Sequence, residues 1–286
     1  MSTKRTLSQQ SWTVYGSTLF VYVVLISFAV TCLFPFYMLA VNATRSTNDI
    51  QQSISFWFST HFFMNYDSLV SRELDIFRAL WNSFYIAATS TLLNLYVSAM
   101  TAFAFHTYQF KGKKWLYVTI LLVIMIPGQL GIIGFYQFML QLGWLDSYAP
   151  LILPSIASAA SVFFLRQYYA SMLSKELLEA ARVDGSSEFR TFNQIVLPIS
   201  LPALATLGIG SFVGSWNNYL MPFILISSEE KYTMPMLVQL LKTNIFATDI
   251  GAIYTGLFLT VIPLLLVYMF LTKYIIGGLT VGGIKE

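Results

Sequence analysis

The chain has 286 residues, of which 56% are hydrophobic and only 10% are charged. A soluble globular protein of this composition would have to bury nearly every residue, so the composition excludes an ordinary soluble domain. The small net charge of +3 gives no reason to expect a nucleic-acid partner.

Long charge-free windows separate the charged residues, and each is long enough to cross a bilayer core of about 30 Å as a helix. The windows are residues 6–44, 79–110, 115–145, 147–165, 191–228 and 250–272. Backbone polar groups at that depth must bond to one another, which favours helices. Continuous apolar runs such as FVYVVLISFAV lack the alternation of a transmembrane β-barrel. The sequence therefore predicts an all-α integral membrane protein with six transmembrane helices.

The predicted organisation is a cytoplasmic N-terminus at 1–16, one membrane domain at 17–273 and a cytoplasmic tail at 274–286. The first apolar run is too long for the core of a signal peptide, so we expect it to remain as a span. The loop at 42–78 contains a cluster of Phe and Trp residues. These aromatic residues would suit either an interfacial helix or a loop that packs on its own spans. The spans are placed near residues 17–41, 79–104, 115–139, 149–168, 201–226 and 251–273.

Lys and Arg predict the orientation, because they are enriched in cytoplasmic loops. An N-terminus on the inside puts most of them in the cytoplasm: Lys4, Arg5, Lys111, Lys113, Lys114, Arg166, Lys175, Arg182, Arg190, Lys273 and Lys285. The outer side then receives only Arg45, Arg72, Arg78, Lys231 and Lys242. Both termini are therefore predicted to be cytoplasmic, and so is the basic turn FKGKK at 110–114.

Two spans contain helix-breaking or small residues. The stretch MIPGQLGIIG puts Pro127 and Gly128 in mid-span, where they weaken a helix. This pattern is typical of a broken helix that lines a cavity, although glycine also serves packing alone. Gly210 and Gly214 form a GxxxG pair, which predicts a close contact between helices.

Several kinds of chemistry are missing from the chain. There is no GxxxxGK[ST] phosphate loop and hence no evident ATP site. His61 and His106 fall on opposite sides of the membrane in the predicted topology, so with one cysteine no conventional zinc site can be assembled. No Ser/His/Asp set is predicted, because neither histidine has a plausible serine or acidic partner in a span. No charged residue lies in the interior of a predicted span, which argues against a proton-coupled pump.

The polar residues at membrane depth are neutral. They suit an uncharged, hydroxyl-rich solute, and they would equally serve as hydrogen bonds between helices. They are Asn82, Asn94, Gln129, Gln137, Ser211, Ser215, Asn217 and Asn218.

A compact polar segment, EAARVDGSSEFRTFNQIVLP at 179–198, lies between two apolar runs. Ser174 is expected to cap a short helix, and Gly185 to end it in the left-handed conformation. A second helix should start near Ser186 or Ser187 and end at Pro198. Its predicted apolar face consists of Phe189, Phe192 and Val196.

The segment is either an interfacial connector or a rigid cytoplasmic surface on which a soluble partner docks. For docking, Ala180 and Ala181 would permit close approach, while Glu179 and Asp184 would offer charge contacts.

The residues EAARVDGSSEFRTFNQIVLPISLP resemble the EAA loop of ATP-binding-cassette (ABC) importer permeases, with EAA, then D-G, then I-x-L-P. SWNNYLMPFIL at 215–225 resembles the fifth-span motif of the carbohydrate branch of these permeases. KYIIGGLTVGGIKE at 273–286 is similar to the C-terminus of that branch, as in the second membrane subunit of the maltose importer. The resemblance covers almost the entire chain. Ser186 stands where the family often has alanine, a departure that should not disturb the turn.

The resemblance implies a type I ABC importer permease fold and a non-catalytic transport subunit in a bacterial or archaeal cytoplasmic membrane. Two cytoplasmic ATPase subunits would bind ATP and Mg²⁺ and hold the coupling loop at 170–200, with no cofactor in this chain. A second, homologous permease subunit would complete the pore. An extracytoplasmic solute-binding protein would deliver a neutral oligosaccharide or disaccharide.

Carried onto this sequence, the resemblance assigns ATPase docking to Glu179, Ala180, Ala181, Asp184 and Gly185. For the substrate pathway we name Gln129, Trp216, Asn217 and Asn218. No catalytic or metal-binding residue is expected.

Other functions remain open at this stage. A secondary carrier for a neutral solute would use the same neutral spans, and sodium coupling through backbone carbonyls would suit it. An ABC importer permease for a polyol is a second alternative, and one for glycerol phosphate is disfavoured because the spans lack cations. A membrane-embedded enzyme would need acidic or histidine residues near the interface, and the chain has few.

Overall fold

The computed structural model describes residues 3–71, 75–156, 158–243 and 249–282, and every regular element in these ranges is helical. The α-helices in chain order are α1 (Thr3–Ala43), α2 (Thr47–Gln52), α3 (Phe62–Val70), α4 (Ile76–Thr107), α5 (Lys113–Met125), α6 (Ile132–Gln141), α7 (Ala149–Ile152), α8 (Ala159–Met172), α9 (Lys175–Val183), α10 (Glu188–Thr191), α11 (Leu197–Ile199), α12 (Leu201–Trp216), α13 (Leu220–Leu225), α14 (Met234–Thr243) and α15 (Ile250–Gly282). Short 3-10 turns lie at Gly128–Gly131, Leu153–Ile156 and Glu229–Lys231, and a π-helical turn lies at Phe192–Val196.

Within the described residues, 4 helical segments are long and apolar enough to cross a membrane, or up to 6 if each of two bent pairs is one span. The 4 segments are Thr18–Ala43, Ile76–Thr107, Ala149–Met172 and Ile250–Tyr274. The bent pairs are Lys113–Met125 with Gly128–Gln141, at 88°, and Glu188–Ile199 with Leu201–Trp216, at 77°. The helix break predicted at Pro127 and Gly128 is confirmed, because the chain is extended at Pro127.

Some predicted boundaries differ from the structure. The second helix of the polar segment ends at Ile199, one residue after the predicted stop at Pro198. The span predicted at 201–226 stops at Trp216, and α13 is a separate short helix. The tail predicted at 274–286 begins inside α15, which continues to Gly282. Residues 283–286 lie outside the described residues.

The described residues form two compact units, and the first contains residues 3–71 with 249–258. Arg45, only 4% exposed, follows α1 and binds the carboxyl end of α2. Its guanidinium donates to the carbonyl oxygens of Asp49, at 2.7 Å, and Ser53, at 2.8 Å. Asn65 Nδ2 donates to the carbonyls of Ala43 and Arg45, at 3.0 and 2.9 Å. These bonds satisfy carbonyl groups that a helix end leaves free.

The aromatic loop before α3 packs on its own span, which was one of the two predicted alternatives. Phe56 and Phe58 lie outside any helix, and their rings contact Phe34 and Tyr37 of α1. Apart from such contacts, the window of α1 within Thr18–Ala43 is 0% buried in the chain. This helix therefore presents its apolar surface to lipid or to another protein.

The second unit contains residues 75–243 with 259–282, and α4 lies at its centre between α8 and α12. The buried residues of α4 are mostly small, which lets the neighbouring helices approach. Ser90 Oγ donates to Ser215 Oγ at 3.1 Å, and Asn94 Nδ2 donates to Ser211 Oγ at 3.2 Å. Polar groups at these positions therefore form hydrogen bonds between helices, and each bond stabilises the packing by roughly 0.6–2 kcal/mol.

The close helix contact of α12 is at Gly208, where an added Cβ would lie 3.3 Å from Leu95 Cδ1. An added Cβ at Gly210 or Gly214 would meet no atom of the described chain within 4 Å. The close contact predicted from the GxxxG pair is therefore wrong within the described chain. The contact is made two residues before Gly210, on the opposite face of α12.

Candidate functional site

Helix α9, the first helix of the polar segment, is fixed at both ends by local hydrogen bonds. Ser174 Oγ accepts from the N–H of Leu177 at 3.2 Å, as predicted for its cap. Gly185 adopts φ 76°, and its N–H donates to the carbonyl of Arg182 at 3.0 Å. The N–H of Ser186 donates to the carbonyl of Ala181 at 3.0 Å. This pair of bonds is a Schellman motif, so the predicted glycine stop is confirmed.

The predicted docking residues are divided between the two faces of α9. Glu179, Ala180, Asp184 and Gly185 are exposed, so a partner can contact them. Ala181 is only 5% exposed and packs toward the body of the unit together with Leu178. Of the two alanines, only Ala180 is therefore accessible to a partner.

Val183, at the end of α9, is 87% exposed, although a valine is usually buried. It lies three and four residues after Ala180 and Glu179, which places it on the same face. Val183 is not among the predicted docking residues. The signal that could have found it is an apolar residue in helical register with Glu179 and Ala180.

An ionic brace connects α9 to the second helix of the segment and to α4. Arg182 Nε donates to Glu188 Oε1 at 2.8 Å, and the hydroxyl of Tyr108 donates to Glu188 Oε2 at 2.6 Å. Burial and the Glu188 carboxylate raise the pKa of Tyr108 to about 12. The same carboxylate raises the pKa of Arg182 above its usual value. All three groups therefore stay in their bonded protonation states at neutral pH.

The π-helical turn anchors the segment in the helical core. Phe192 and Val196 are buried, and the Phe192 ring lies 5.6 Å from the ring of Tyr96 and 5.7 Å from that of Phe103. Phe189 is exposed, so the apolar face predicted for this helix is divided. Helix α9 is thus connected through Glu188 and this turn to α4.

The predicted pathway residues do not form one cluster. Gln129 is exposed in the 3-10 turn between α5 and α6. Trp216 is 1% exposed and stacks on Phe212, with ring centroids 5.7 Å apart. Asn217 is exposed at the end of α12, and Asn218 Oδ1 accepts from the N–H of Met221 at 3.3 Å. Asn217 and Gln129 are the two amides of this set that face outward.

The segment at 226–234, which we call the platform loop, is held on α4 by bonds to its backbone. Asn82 Nδ2 donates to the carbonyls of Glu230 and Tyr232, at 2.9 and 3.0 Å. Ser83 Oγ accepts from the N–H of Met234 at 2.8 Å. The platform loop is therefore a rigid surface, and the sequence did not predict it.

Asp146 holds the other side of the platform loop, from an unusual left-handed backbone with φ 54°. Its carboxylate accepts from the N–H groups of Ser227 and Ser228, at 3.0 and 2.9 Å, and from Lys231 Nζ at 2.7 Å. Lys231 and Ser228 hold the pKa of this carboxyl far below its usual range.

In the described part of the chain, no three His, Cys, Asp or Glu side chains meet as a metal site would require.

Comparison with known proteins gives a consistent result. Residues 94–280 match the family described as binding-protein-dependent transport system inner membrane component. The chain is 36% identical to an arabinooligosaccharides transport system permease protein of Halalkalibacterium halodurans, over 71% of this chain and 72% of the relative. It is 31% identical to a lactose transport system permease protein of Rhizobium radiobacter, over 92% and 95% of the two chains.

A solved structure supports the fold. The chain superposes on one chain of a bacterial ABC transporter involved in the import of the acidic polysaccharide alginate, with a TM-score of 0.78 and 21% identity. The match covers 92% of this chain and 97% of that chain. The expected importer-permease fold is thus supported by geometry as well as by sequence.

Proposed function

Because the chain belongs to the family of binding-protein-dependent transport system inner membrane components, we propose that it forms half of the translocation pathway of an ATP-driven sugar importer. It is a multi-pass membrane protein and a non-catalytic transport component. In this proposal the solute is a neutral oligosaccharide or disaccharide, and the membrane is the cytoplasmic membrane of a bacterium or archaeon.

The exposed, braced face of α9 is the observation that carries the proposal. Glu179 and Asp184 offer two negative charges, and Ala180 leaves room for a partner's backbone between them. Because Gly185 and the Arg182–Glu188 ion pair hold this face in one geometry, little conformational entropy is lost when a partner binds. A simple connecting loop would need none of these bonds.

Two cytoplasmic ATPase subunits are the proposed partners of this face and of its counterpart on a second permease. They would bind ATP and Mg²⁺ and close on the nucleotide. Closure would displace α9, and the bonds of Glu188 and the packing of Phe192 would pass the displacement to α4. Such an element has two positions, and the nucleotide state biases it toward one of them.

The remaining partners are a second, homologous permease and an extracytoplasmic solute-binding protein. The exposed apolar surface of α1 supports a membrane-embedded partner or lipid, and the rigid platform loop supports a docking partner at the opposite end of α4 from Tyr108. A neutral solute is supported by the similarity to permeases of arabinooligosaccharide and lactose transport systems. The outward-facing amides of Gln129 and Asn217 would suit such a solute.

The test is a pull-down of the tagged chain from its native membranes in mild detergent, followed by mass spectrometry. We expect an ATPase and a second permease to co-purify with the parent chain and with Glu229→Lys, which makes the same charge change on an exposed residue of the platform loop. With Glu179→Lys the ATPase should be lost while the permease remains. A parent chain that purifies alone and still transports in vesicles would instead be a secondary carrier.

A further inference from the structure

The basic turn at 110–114 has no role in the proposed function, but it forms one wall of a pocket of about 590 Å³. The end of α4, the start of α5 and the carboxyl half of α8 enclose this pocket. Three cations line it, Lys113, Lys114 and Arg166, next to the aromatic rings of Phe105, Phe110 and Trp115. No acidic residue is among the lining residues that the structure describes.

The three cations have no acidic partner in the described part of the chain, whose ion pairs involve other residues. The Arg166 guanidinium lies over the ring of Tyr117, 4.1 Å from its centroid. Lys113 Nζ donates to the carbonyl of Tyr108 at 2.7 Å. These two contacts orient the cations without neutralising them, so the pocket has a net positive charge.

Tyr117 orients Arg166 at the pocket and does not contact a ligand itself. Its ring lies under the guanidinium, and its hydroxyl is buried and inaccessible from the pocket. An anion with several acceptor oxygens would suit the three neighbouring cations.

The surroundings of the pocket are those of a membrane interface. Trp115 is 77% exposed, and indole rings favour the depth of the lipid head groups. From there α5 continues into the membrane with exposed Leu116, Leu122 and Val123. The first turn of α5 also directs free N–H groups toward this end, which favours a negative charge nearby. A water-soluble anion would gain nothing from the apolar surface.

We propose that this pocket binds the phosphate head group of an anionic phospholipid, whose acyl chains lie along the exposed apolar side chains of α5. Lys113, Lys114 and Arg166 supply the positive charge for the phosphate. Basic pockets between membrane helices commonly take such head groups.

The test is native mass spectrometry of the full chain with phosphatidylglycerol and with zwitterionic phosphatidylcholine. We expect preferential binding of phosphatidylglycerol and a loss of roughly fivefold in its affinity for Arg166→Gln and for Lys114→Gln, the usual effect of one cation near an anionic lipid. Lys175→Gln removes the same charge from an exposed position outside the pocket and should bind as the parent does. Lys114 is exposed, so its substitution should leave the fold intact even if Arg166→Gln does not fold.

Quenching of tryptophan fluorescence locates the lipid in the unmodified protein. Phosphatidylglycerol with brominated acyl chains should quench the parent more than Trp115→Phe. The proposal is overturned if the two lipids bind equally, if Lys175→Gln weakens binding as much as Lys114→Gln, or if Trp115→Phe is quenched as strongly as the parent. Displacement of the lipid by millimolar inorganic phosphate would identify a free-anion site instead.

Discussion

Gly185 gives the sharpest test of the proposal that α9 docks an ATPase subunit. Its φ of 76° is unfavourable for residues with a side chain, by about 1–2 kcal/mol. An added Cβ would meet no atom within 4 Å, so Gly185→Ala adds backbone strain without a steric clash. Alanine also lowers the conformational entropy of the unfolded chain, which stabilises the folded state by about 0.4–1 kcal/mol. The net cost of holding the turn is therefore about 1 kcal/mol.

Proline at this position is far more disruptive. It fixes φ near −65° and removes the N–H that donates to the carbonyl of Arg182, so the Schellman motif cannot form. Asparagine tolerates the left-handed conformation and keeps the N–H. We expect about a fivefold loss of ATPase affinity for Gly185→Ala, no detectable complex for Gly185→Pro, and nearly parental affinity for Gly185→Asn.

The assay measures binding of the purified ATPase to the full chain in detergent, together with ATP-driven uptake in reconstituted vesicles. Gly143→Ala is the matched control, since Gly143 has φ 66° and equally open surroundings but lies between α6 and α7. It should share the backbone cost and keep the ATPase affinity. Normal uptake by Gly185→Pro, or equal loss in Gly185→Asn and Gly185→Pro, would refute the reasoning.

Three further changes test other parts of the structure. Glu188→Gln should weaken the brace by about 0.5–1 kcal/mol, because the pair is partly exposed, and so lower uptake roughly two- to fivefold with little change in thermal unfolding. Asp146→Asn should speed hydrogen exchange of the platform loop. In the parent, the protection factors of the loop amides, which are corrected for the intrinsic pH dependence of exchange, should not change between pH 7 and 5. The lowered pKa of Asp146 keeps its carboxylate ionised throughout this range, and the contact is lost only as the pH falls through the lowered value. Gly251→Ala puts a Cβ 2.5 Å from Asn65 Oδ1 and should cost about 1–3 kcal/mol in thermal unfolding, whereas Gly210→Ala, with open space, should be neutral or better.

The features that were predicted from sequence are short-range ones. Ser174, Ser187 and Gly185 act on backbone groups within three to five residues, so the caps and the glycine stop could be inferred from the residue types alone. The break after α5 follows in the same way from Pro127 and its glycine. Charge-free windows located the apolar helices, because membrane depth excludes charge over a fixed length.

The features that were missed depend on residues far apart in sequence. Tyr108 and Glu188 are separated by 80 positions, and Asn82 meets Tyr232 across 150, so no local pattern shows either contact. The contact predicted for the GxxxG pair was wrong because tertiary packing decides which face of α12 meets α4. The face that meets α4 carries Gly208.

The way in which the platform loop is anchored has a consequence for how such a chain can diversify. Asn82 donates to two backbone carbonyls of the loop, Ser83 accepts from one backbone N–H, and Asp146 accepts from two more. Every residue type except proline has both of these backbone groups. The side chains of Glu229 and Glu230 can therefore be exchanged without releasing the loop. Grafting foreign sequences between Ser228 and Lys231 on this fixed frame would be a practical route to altered partner specificity.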